Sequence, residues 1–222
     1  MKRAIVTGVT GVVGSAIARA LLSHGVEVYG VCRPNSSRIK NAEEIKGMHV
    51  IECDASDYEK LSDKIAEPCD AFYYLTWLGT QSNDNRWDMY CQVDNIKYTL
   101  DAVNAAEKCG CKVFIGAGSQ AEYGYKNEPL RPDTECNPVS GYGMAKLCAG
   151  QMTRSLCEQK GIRHIWTRIV STYGPNDREK CLVPYVINML KNGEKPSLTP
   201  CDQIWDYIYA DDEGEAFYAI AE

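Results

Sequence analysis

Short apolar runs alternate with longer amphipathic stretches along the first 170 residues. The apolar runs predict strands at Arg3–Thr7, Val26–Cys32, Met48–Cys53, Ala71–Thr76, Lys112–Ala117 and His164–Val170. The amphipathic stretches predict helices at Val12–Ser23, Tyr58–Ala66 (behind a cap at Ser56), Met89–Lys108 and Tyr142–Gln159 (ended by Gly161), with a polar loop over 34–40. Because the strands are apolar on both sides and alternate with helices, we expect an α/β fold with a doubly wound parallel sheet.

The alternation breaks after residue 170. The pattern there predicts a helix at Leu182–Lys191, a strand at Ile204–Tyr209 and a helix at Asp212–Ala221. We therefore expect a dinucleotide-binding Rossmann domain over 1–170. Residues 171–222 are expected to form a small, apparently truncated substrate-binding region, interleaved with the end of the Rossmann fold. The chain stops directly after the last predicted helix, which is typical of a short C-terminus or a fragment.

Three glycines lie between the first predicted strand and the first predicted helix, in the pattern Gly8-x-x-Gly11-x-x-Gly14. A glycine-rich turn in this place lets the backbone approach a pyrophosphate, and the helix N-terminus favours the anion. The alternative is a tight turn without a ligand. The placement favours phosphate binding, so Thr10, Val12 and Val13 join the three glycines as candidate cofactor-binding residues.

A tyrosine and a lysine lie one helical turn apart in Tyr142-Gly143-Met144-Ala145-Lys146, and Ser119 follows the fifth predicted strand. The carboxyl edge of a parallel sheet is where ligand-binding side chains collect. We expect Lys146 to lower the pKa of the Tyr142 phenol and Ser119 to hold a substrate oxygen. Tyr142 would then exchange a proton while a nicotinamide exchanges hydride. Tyr142 and Lys146 are also expected to contact the cofactor.

Ordered motifs along nearly the whole chain carry a family resemblance. They are TGVTGVVG (7–14), CDASD (53–57), DNIKYT (94–99), GSQAEYG (118–124), PVSGYGMAK (138–146), RIVSTYGP (168–175) and WDYIYADD (205–212). The chain thereby resembles the extended short-chain dehydrogenase/reductase superfamily, the NAD-dependent epimerase/dehydratase group that acts on nucleotide sugars. The resemblance implies that Asp54 and Ala55 lie at the adenine and that Asn95 lies near the active site. It also places Leu75, Thr76 and Trp77 along the cofactor groove, with plain core packing as the alternative.

The second predicted strand departs from the pattern of NAD-dependent members, which usually end it with an acid that holds the ribose 2′-hydroxyl. Cys32 takes that place and is followed by Arg33 and Arg38. Two arginines without an acid favour a 2′-phosphate, so NADP is expected in preference to NAD. Ordinary solvated charges in a loop are the alternative.

Further positions bear on the reaction and the substrate. Dehydratases of this group carry an acid just after the catalytic serine or threonine, where this chain has Gln120 and Ala121. Glu122 is one place late and is expected to point away, which disfavours a 4,6-dehydratase. An epimerase and a ketoreductase both remain, with Ser119, Gln120, Ser171 and Trp205 as candidate substrate residues. Ser171 and Trp205 replace an asparagine and an arginine that bind nucleotide phosphates in many members.

Two other functions stay open at the level of sequence. The first is a reductase of a small non-sugar aldehyde or ketone, which the tryptophans Trp77, Trp87 and Trp205 would suit. The second is an NAD(P)-sensing binding protein, although such proteins often lose the tyrosine or the lysine that this chain retains.

Composition narrows the partners and the compartment. The net charge of −6 over 222 residues argues against nucleic acid or an anionic membrane surface as a partner. Eleven scattered cysteines and three distant histidines favour buried thiols in a reducing, cytoplasmic compartment and no metal site. The basic start Met1-Lys2-Arg3 is unlike a signal peptide because glycines and Arg19 interrupt the apolar run. The resemblance implies a homodimer formed through the helices near 89–108 and 142–160.

Overall fold

The structure is a computed structural model that describes residues 1–80 and 83–222. Within these ranges a parallel sheet of six strands has the order β3-β2-β1-β4-β5-β6. Its strands are β1 Arg3–Thr7, β2 Glu27–Cys32, β3 His49–Glu52, β4 Ala71–Tyr74, β5 Val113–Ser119 and β6 Arg163–Ile169. The doubly wound α/β prediction is therefore confirmed. Ligands of such sheets bind where the strand order reverses, which here is the crevice between β1 and β4.

Helices cover both faces of the sheet. They are α1 Val12–Ser23, α2 Ile39–Glu43, α3 Asn83–Trp87, α4 Met89–Lys108, α5 Gly141–Lys160, α6 Leu182–Lys191 and α7 Ala210–Ala221, with 3-10 helices at Ala55–Lys64 and Gln120–Glu122. On one face α4 and α5 cover a core around Phe72 and Phe114. On the other face α1 and α7 pack together beside Tyr73 and Ile115. Burial of both faces explains why the strands read as continuous apolar runs.

Local capping sets the ends of the two longest helices. The Asp88 carboxylate accepts hydrogen bonds from the first free N–H groups of α4, and the Ser140 hydroxyl accepts one from Gly143 in α5. Gly161 ends α5 with φ of 67°, a left-handed conformation that favours glycine. The predicted bounds of α4 are confirmed, and those of α5 shift by one residue at each end.

The bounds of most other elements shift by one or two residues, and three predicted elements differ more from the structure. The helix expected at Tyr58–Ala66 is a 3-10 helix that starts earlier, because the Asp54 carboxylate, and not Ser56, caps it. The strand expected at Ala71–Thr76 ends at Tyr74, because the next two N–H groups donate to the Thr7 hydroxyl. The strand expected at Ile204–Tyr209 is only β8, Ile208–Tyr209, since Ile204 is 99% exposed and has no layer to pack against.

Residues 171–222 add no strand to the main sheet, but they pack against it through helix α7. A two-stranded parallel sheet joins β8 to β7, Thr172–Tyr173. Helix α7 then packs on α1, where Arg19 pairs with Asp211 at 2.5 Å and Gly214 lies against the Ala16 carbonyl. The domain boundary at residue 170 stays a prediction. None of the helices in 1–80 and 83–222 combines the length and the apolar character that crossing a membrane requires.

Candidate active site

A cleft of about 460 Å³ opens where the strand order reverses. Its walls include the turn after β1, the loops after β2 and β3, the segment after β4 and the first turns of α5. Residues from these distant parts of the chain meet because parallel strands all end at the same edge of the sheet.

The glycine turn forms one wall of this cleft. Gly8 has φ of 70°, its N–H donates to the Val31 carbonyl at 2.9 Å, and its carbonyl accepts from the Gly11 N–H at 3.0 Å. A Cβ at Gly14 would strike the Gly8 carbonyl, so the turn closes tightly only without side chains. The predicted glycines thus leave backbone beside the N-terminus of α1, a surface that suits a phosphate.

Positive side chains dominate the cleft. Among the described residues that line it, five are basic (Arg33, Arg38, Arg86, Lys146 and Arg178) and two are acidic (Asp54 and Asp177). None of the four arginines forms an ion pair with any residue in the described ranges. The pKa of Arg38 is lowered by burial and then by the charges of Arg178 and Arg33. The cleft therefore favours an anionic ligand although the chain is acidic overall.

Ser119 is the last residue of β5, and the buried carboxylate of Glu122 holds its backbone in place. Its N–H donates to Glu122 Oε1 at 2.8 Å, and its hydroxyl accepts from the Ala121 N–H at 3.2 Å. Glu122 is wholly buried, accepts from Trp166 Nε1 at 3.0 Å and pairs with Arg168 at 2.9 Å. Its carboxylate thus points into the protein beneath Ser119 rather than into the cleft.

Tyr142 lies in the first turn of α5 with its phenol close to the Ser119 side chain. Burial raises the pKa of Tyr142, while the polar Ser119 side chain nearby and the charge of Arg86 act in the opposite direction. The Arg86 guanidinium carbon lies 5.0 Å from the centroid of the Tyr142 ring. The expectation that Lys146 brings this pKa below its ordinary value is wrong, because desolvation of the phenolate is the largest effect and raises the pKa.

Lys146 is buried one turn further along α5. Its ammonium donates to the Ala117 carbonyl at 2.5 Å and lies 3.8 Å from the centroid of the Trp77 ring and 5.8 Å from that of Tyr142. Burial lowers the pKa of Lys146 to about 7. The lowered pKa follows from the desolvation of the ammonium at this buried position.

The structure brings most of the predicted cofactor residues to the wall of this cleft. They are Gly8, Thr10, Gly11, Val12, Val13, Gly14, Arg33, Arg38, Asp54, Ala55, Leu75, Thr76, Trp77, Tyr142 and Lys146. Asn95 is not among the lining side chains. It is wholly buried and bonds the backbone of Leu78 twice, through its oxygen at 2.7 Å and its amide nitrogen at 3.0 Å. It acts on the cleft only by holding the segment after β4.

Four predicted substrate residues also lie outside the cleft wall. Ser119 ends β5 one residue after Gly118, which is part of that wall. Gln120 begins the 3-10 helix after β5. Ser171 lines a separate cavity of about 270 Å³ beside β6 and α7. Trp205 donates its indole N–H to the Ser171 hydroxyl at 2.6 Å, so the two residues form a pair with each other.

Sequence reasoning missed several residues that line the cleft. They are Cys53, Tyr58, Leu78, Thr80, Arg86, Ala117, Gly118, Ile169, Asn176, Asp177, Arg178 and Cys181. Arg86 and Arg178 are the most important of these for binding an anion, because they add two positive charges to the cleft. Neither arginine lies in a motif with recognisable spacing. Both come from segments after a strand end, which is the one signal that would have drawn attention to them.

The comparisons with known proteins agree with this geometry. The model of the NAD dependent epimerase/dehydratase family matches residues 4–222, so the resemblance predicted from the motifs is confirmed. CDP-abequose synthase of Yersinia pseudotuberculosis is 24% identical over 220 residues, which cover 98% of this chain and 72% of that protein.

Two solved structures share the fold. UDP-N-acetylglucosamine 4-epimerase from Methanobrevibacter ruminantium M1, in complex with UDP-N-acetylmuramic acid, superposes with a TM-score of 0.85 at 25% identity. UDP-glucuronic acid 4-epimerase from Bacillus cereus, in complex with UDP-glucuronic acid and NAD, has a TM-score of 0.81 at 24% identity. Each match covers 99% of this chain and 73% of the other.

Proposed function

Because this chain belongs to the NAD dependent epimerase/dehydratase family, we propose that it is an NAD(P)-dependent enzyme that transfers hydride at a hydroxyl or keto carbon of a nucleotide sugar. The observation that carries this proposal is a shared cleft. The glycine turn lines it together with Tyr142 and Lys146, and Ser119 ends β5 directly after the lining residue Gly118. The names of CDP-abequose synthase and the UDP-sugar epimerases support a nucleotide sugar.

The described residues fit a dinucleotide. The turn around Gly14 has no room for a side chain, and the basic wall of the cleft suits its phosphates. When bound, such a cofactor supplies hydride exchange at the sugar carbon. The chain itself would hold the pyrophosphate on the backbone of Gly11 to Val13 and the adenosine between Asp54, Ala55 and Leu75.

Tyr142 is the proposed proton donor and acceptor. Burial raises its pKa, so the phenol is neutral near pH 7 and carries the proton that a reduced carbonyl oxygen needs. The phenol lies in the cleft, near the end of β5 where Ser119 lies. A Tyr142→Phe variant should therefore lose turnover and keep nearly unchanged cofactor affinity. Wild-type turnover in that variant would refute the role of the phenol.

The cofactor is proposed to be NADP in preference to NAD. Cys32 ends β2 in the place of the usual acid and is buried, and Arg33 and Arg38 of the following loop line the cleft, where they would attract a 2′-phosphate. NAD is bound in the Bacillus cereus structure, which makes the preference a feature of this chain to be tested.

Paired titrations with NADP⁺ and NAD⁺ test that preference. We expect tighter NADP⁺ binding, lost in Arg33→Ala and retained in Arg131→Ala, an exposed arginine that is not part of the cleft wall. Tighter NAD⁺ binding by the wild-type chain would show that the missing acid does not set the preference.

A ketoreductase is favoured over an epimerase, and a 4,6-dehydratase is disfavoured. The arginines that suit NADP favour a single reduction by NADPH. Dehydration needs an acid at the sugar, whereas the Glu122 carboxylate is occupied by Arg168, Trp166 and the Ser119 N–H. Incubation with UDP-sugars and CDP-sugars, followed by product analysis, distinguishes oxidation of NADPH from interconversion of two sugars. Activity on simple carbonyls alone would favour a small-molecule reductase instead.

A further inference from the structure

Arg178 is one of two arginines of the cleft, with Arg86, that no motif predicts. It follows β7 in a segment, residues 174–181, that folds over the glycine turn. The Asn176 amide donates to the Ser15 hydroxyl of α1 at 3.2 Å, which ties this segment to the helix that begins at the turn. The Arg178 N–H donates to Asp177 Oδ1 at 2.7 Å, and its carbonyl accepts from the Cys181 N–H at 2.9 Å. Its backbone is therefore fixed beside the cleft.

The Arg178 guanidinium crosses to the segment after β4. It donates to the Thr80 carbonyl and to the Thr80 hydroxyl, each at 3.2 Å. Both partners are neutral, and no carboxylate in the described ranges pairs with the guanidinium. A guanidinium has five N–H donors, so at least some donors and the whole charge remain for another ligand. Bidentate binding of phosphate is the interaction that this group makes best.

The position of Arg178 points to the middle of a bound dinucleotide. It lines the same cleft as Arg38, at the proposed ribose end, and Tyr142, at the proposed reacting end, and it is close enough for its charge to act on both. The group between those ends of a dinucleotide is the pyrophosphate. The Asp177 carboxylate in the same segment also lines the cleft and is occupied by the Arg178 backbone N–H.

We propose that Arg178 binds the pyrophosphate of the dinucleotide, exchanging its bonds with Thr80 for bonds with phosphate oxygens. The glycine turn and the N-terminus of α1 would then bind the same group from the other side. This role presupposes the cofactor of the proposed function and adds a residue that acts on NAD⁺ and NADP⁺ alike. A nucleotide sugar also carries a diphosphate, so the test includes UDP as a separate probe.

The test compares the affinities of wild type, Arg178→Gln, Arg178→Lys and Arg131→Gln for NADP⁺, NAD⁺ and UDP, by calorimetric titration of the full chain. We expect Arg178→Gln to weaken the binding of NADP⁺ and of NAD⁺ by the same factor, about 10-fold to 100-fold. This is the loss expected when one hydrogen bond to a charged group is removed. The ratio of the two affinities should stay at its wild-type value. Arg178→Lys should recover part of the loss, and Arg131→Gln, on the exposed surface, should lose nothing.

Other outcomes overturn the proposal in distinguishable ways. Unchanged affinity in Arg178→Gln would show that Arg178 bonds only Thr80. A loss confined to NADP⁺ would assign the guanidinium to the 2′-phosphate, and a loss confined to UDP would assign it to the substrate. If the wild-type chain binds neither dinucleotide, the proposed function fails together with this role. Arg178 is exposed, so a matched thermal unfolding midpoint suffices as a folding control.

Discussion

Burial of Lys146 gives a prediction about stability that needs no ligand. The pKa of this side chain falls from 10.5 to about 7 on folding. Between these values the unfolded chain binds a proton that the folded chain does not, so this residue makes stability rise with pH from about 7 to about 10.5. A pKa difference of about 3.5 corresponds to a cost of about 5 kcal/mol well below pH 7.

Lys146→Met removes this cost and keeps an unbranched side chain of similar length. The substitution also leaves the Ala117 carbonyl without its donor, at about 1–3 kcal/mol, and removes the contact with Trp77, at about 1–2 kcal/mol. At pH 7 the variant should therefore be as stable as the wild type or modestly more stable. The energies of the lost contacts change little with pH. The stricter test is therefore how the difference in free energy of unfolding between the wild type and Lys146→Met changes with pH.

Urea unfolding of both proteins at pH 7, 8 and 9, followed by tryptophan fluorescence, measures that difference. Between pH 7 and pH 9 the free energy of unfolding of the wild type should rise by about 2 kcal/mol relative to that of Lys146→Met. Other groups titrate equally in both proteins and cancel. Lys195→Met, at an exposed position, should show a constant difference from wild type. A difference for Lys146→Met that is constant to within about 0.5 kcal/mol would refute the lowered pKa and the desolvation on which it rests.

Two further predictions concern the support of the site. Glu122→Gln should destabilise the protein by about 3 kcal/mol, because it leaves the half-buried Arg168 guanidinium without its carboxylate; Glu128→Gln, at an exposed position, should have little effect in the same urea titration. An unchanged urea midpoint for Glu122→Gln would contradict the role of this pair. Gly14→Ala should weaken NADP⁺ binding at least about 10-fold, because the new methyl group displaces the Gly8 carbonyl and opens the turn. Wild-type affinity in that variant would show that the turn is not the phosphate site.

Local sequence patterns were sufficient to predict the parallel sheet with its helices and the main residues of the candidate site. The parallel sheet follows from apolar runs and from the helices between them, and the bounds of α4 were predicted without error. The glycine turn, Ser119, Tyr142 and Lys146 were found because a turn or an i,i+4 pair is a property of neighbouring residues. Since parallel strands end at one edge of a sheet, their positions at strand ends predicted which of them lie in one cleft.

Contacts between distant segments decided what local patterns do not contain. Arg178 lies in the cleft because residues 174–181 fold back over α1, and Asn95 is withdrawn from it because Leu78 satisfies its amide. The direction of the Tyr142 pKa depends on how much water the surrounding segments exclude, and desolvation there exceeds the effect of nearby charges. The sequence by itself thus determined the frame and the chemical groups of the site, which depend on near neighbours. Only the tertiary structure decided their burial, their charge states and the arginines that join them, since these depend on segments far apart in the chain.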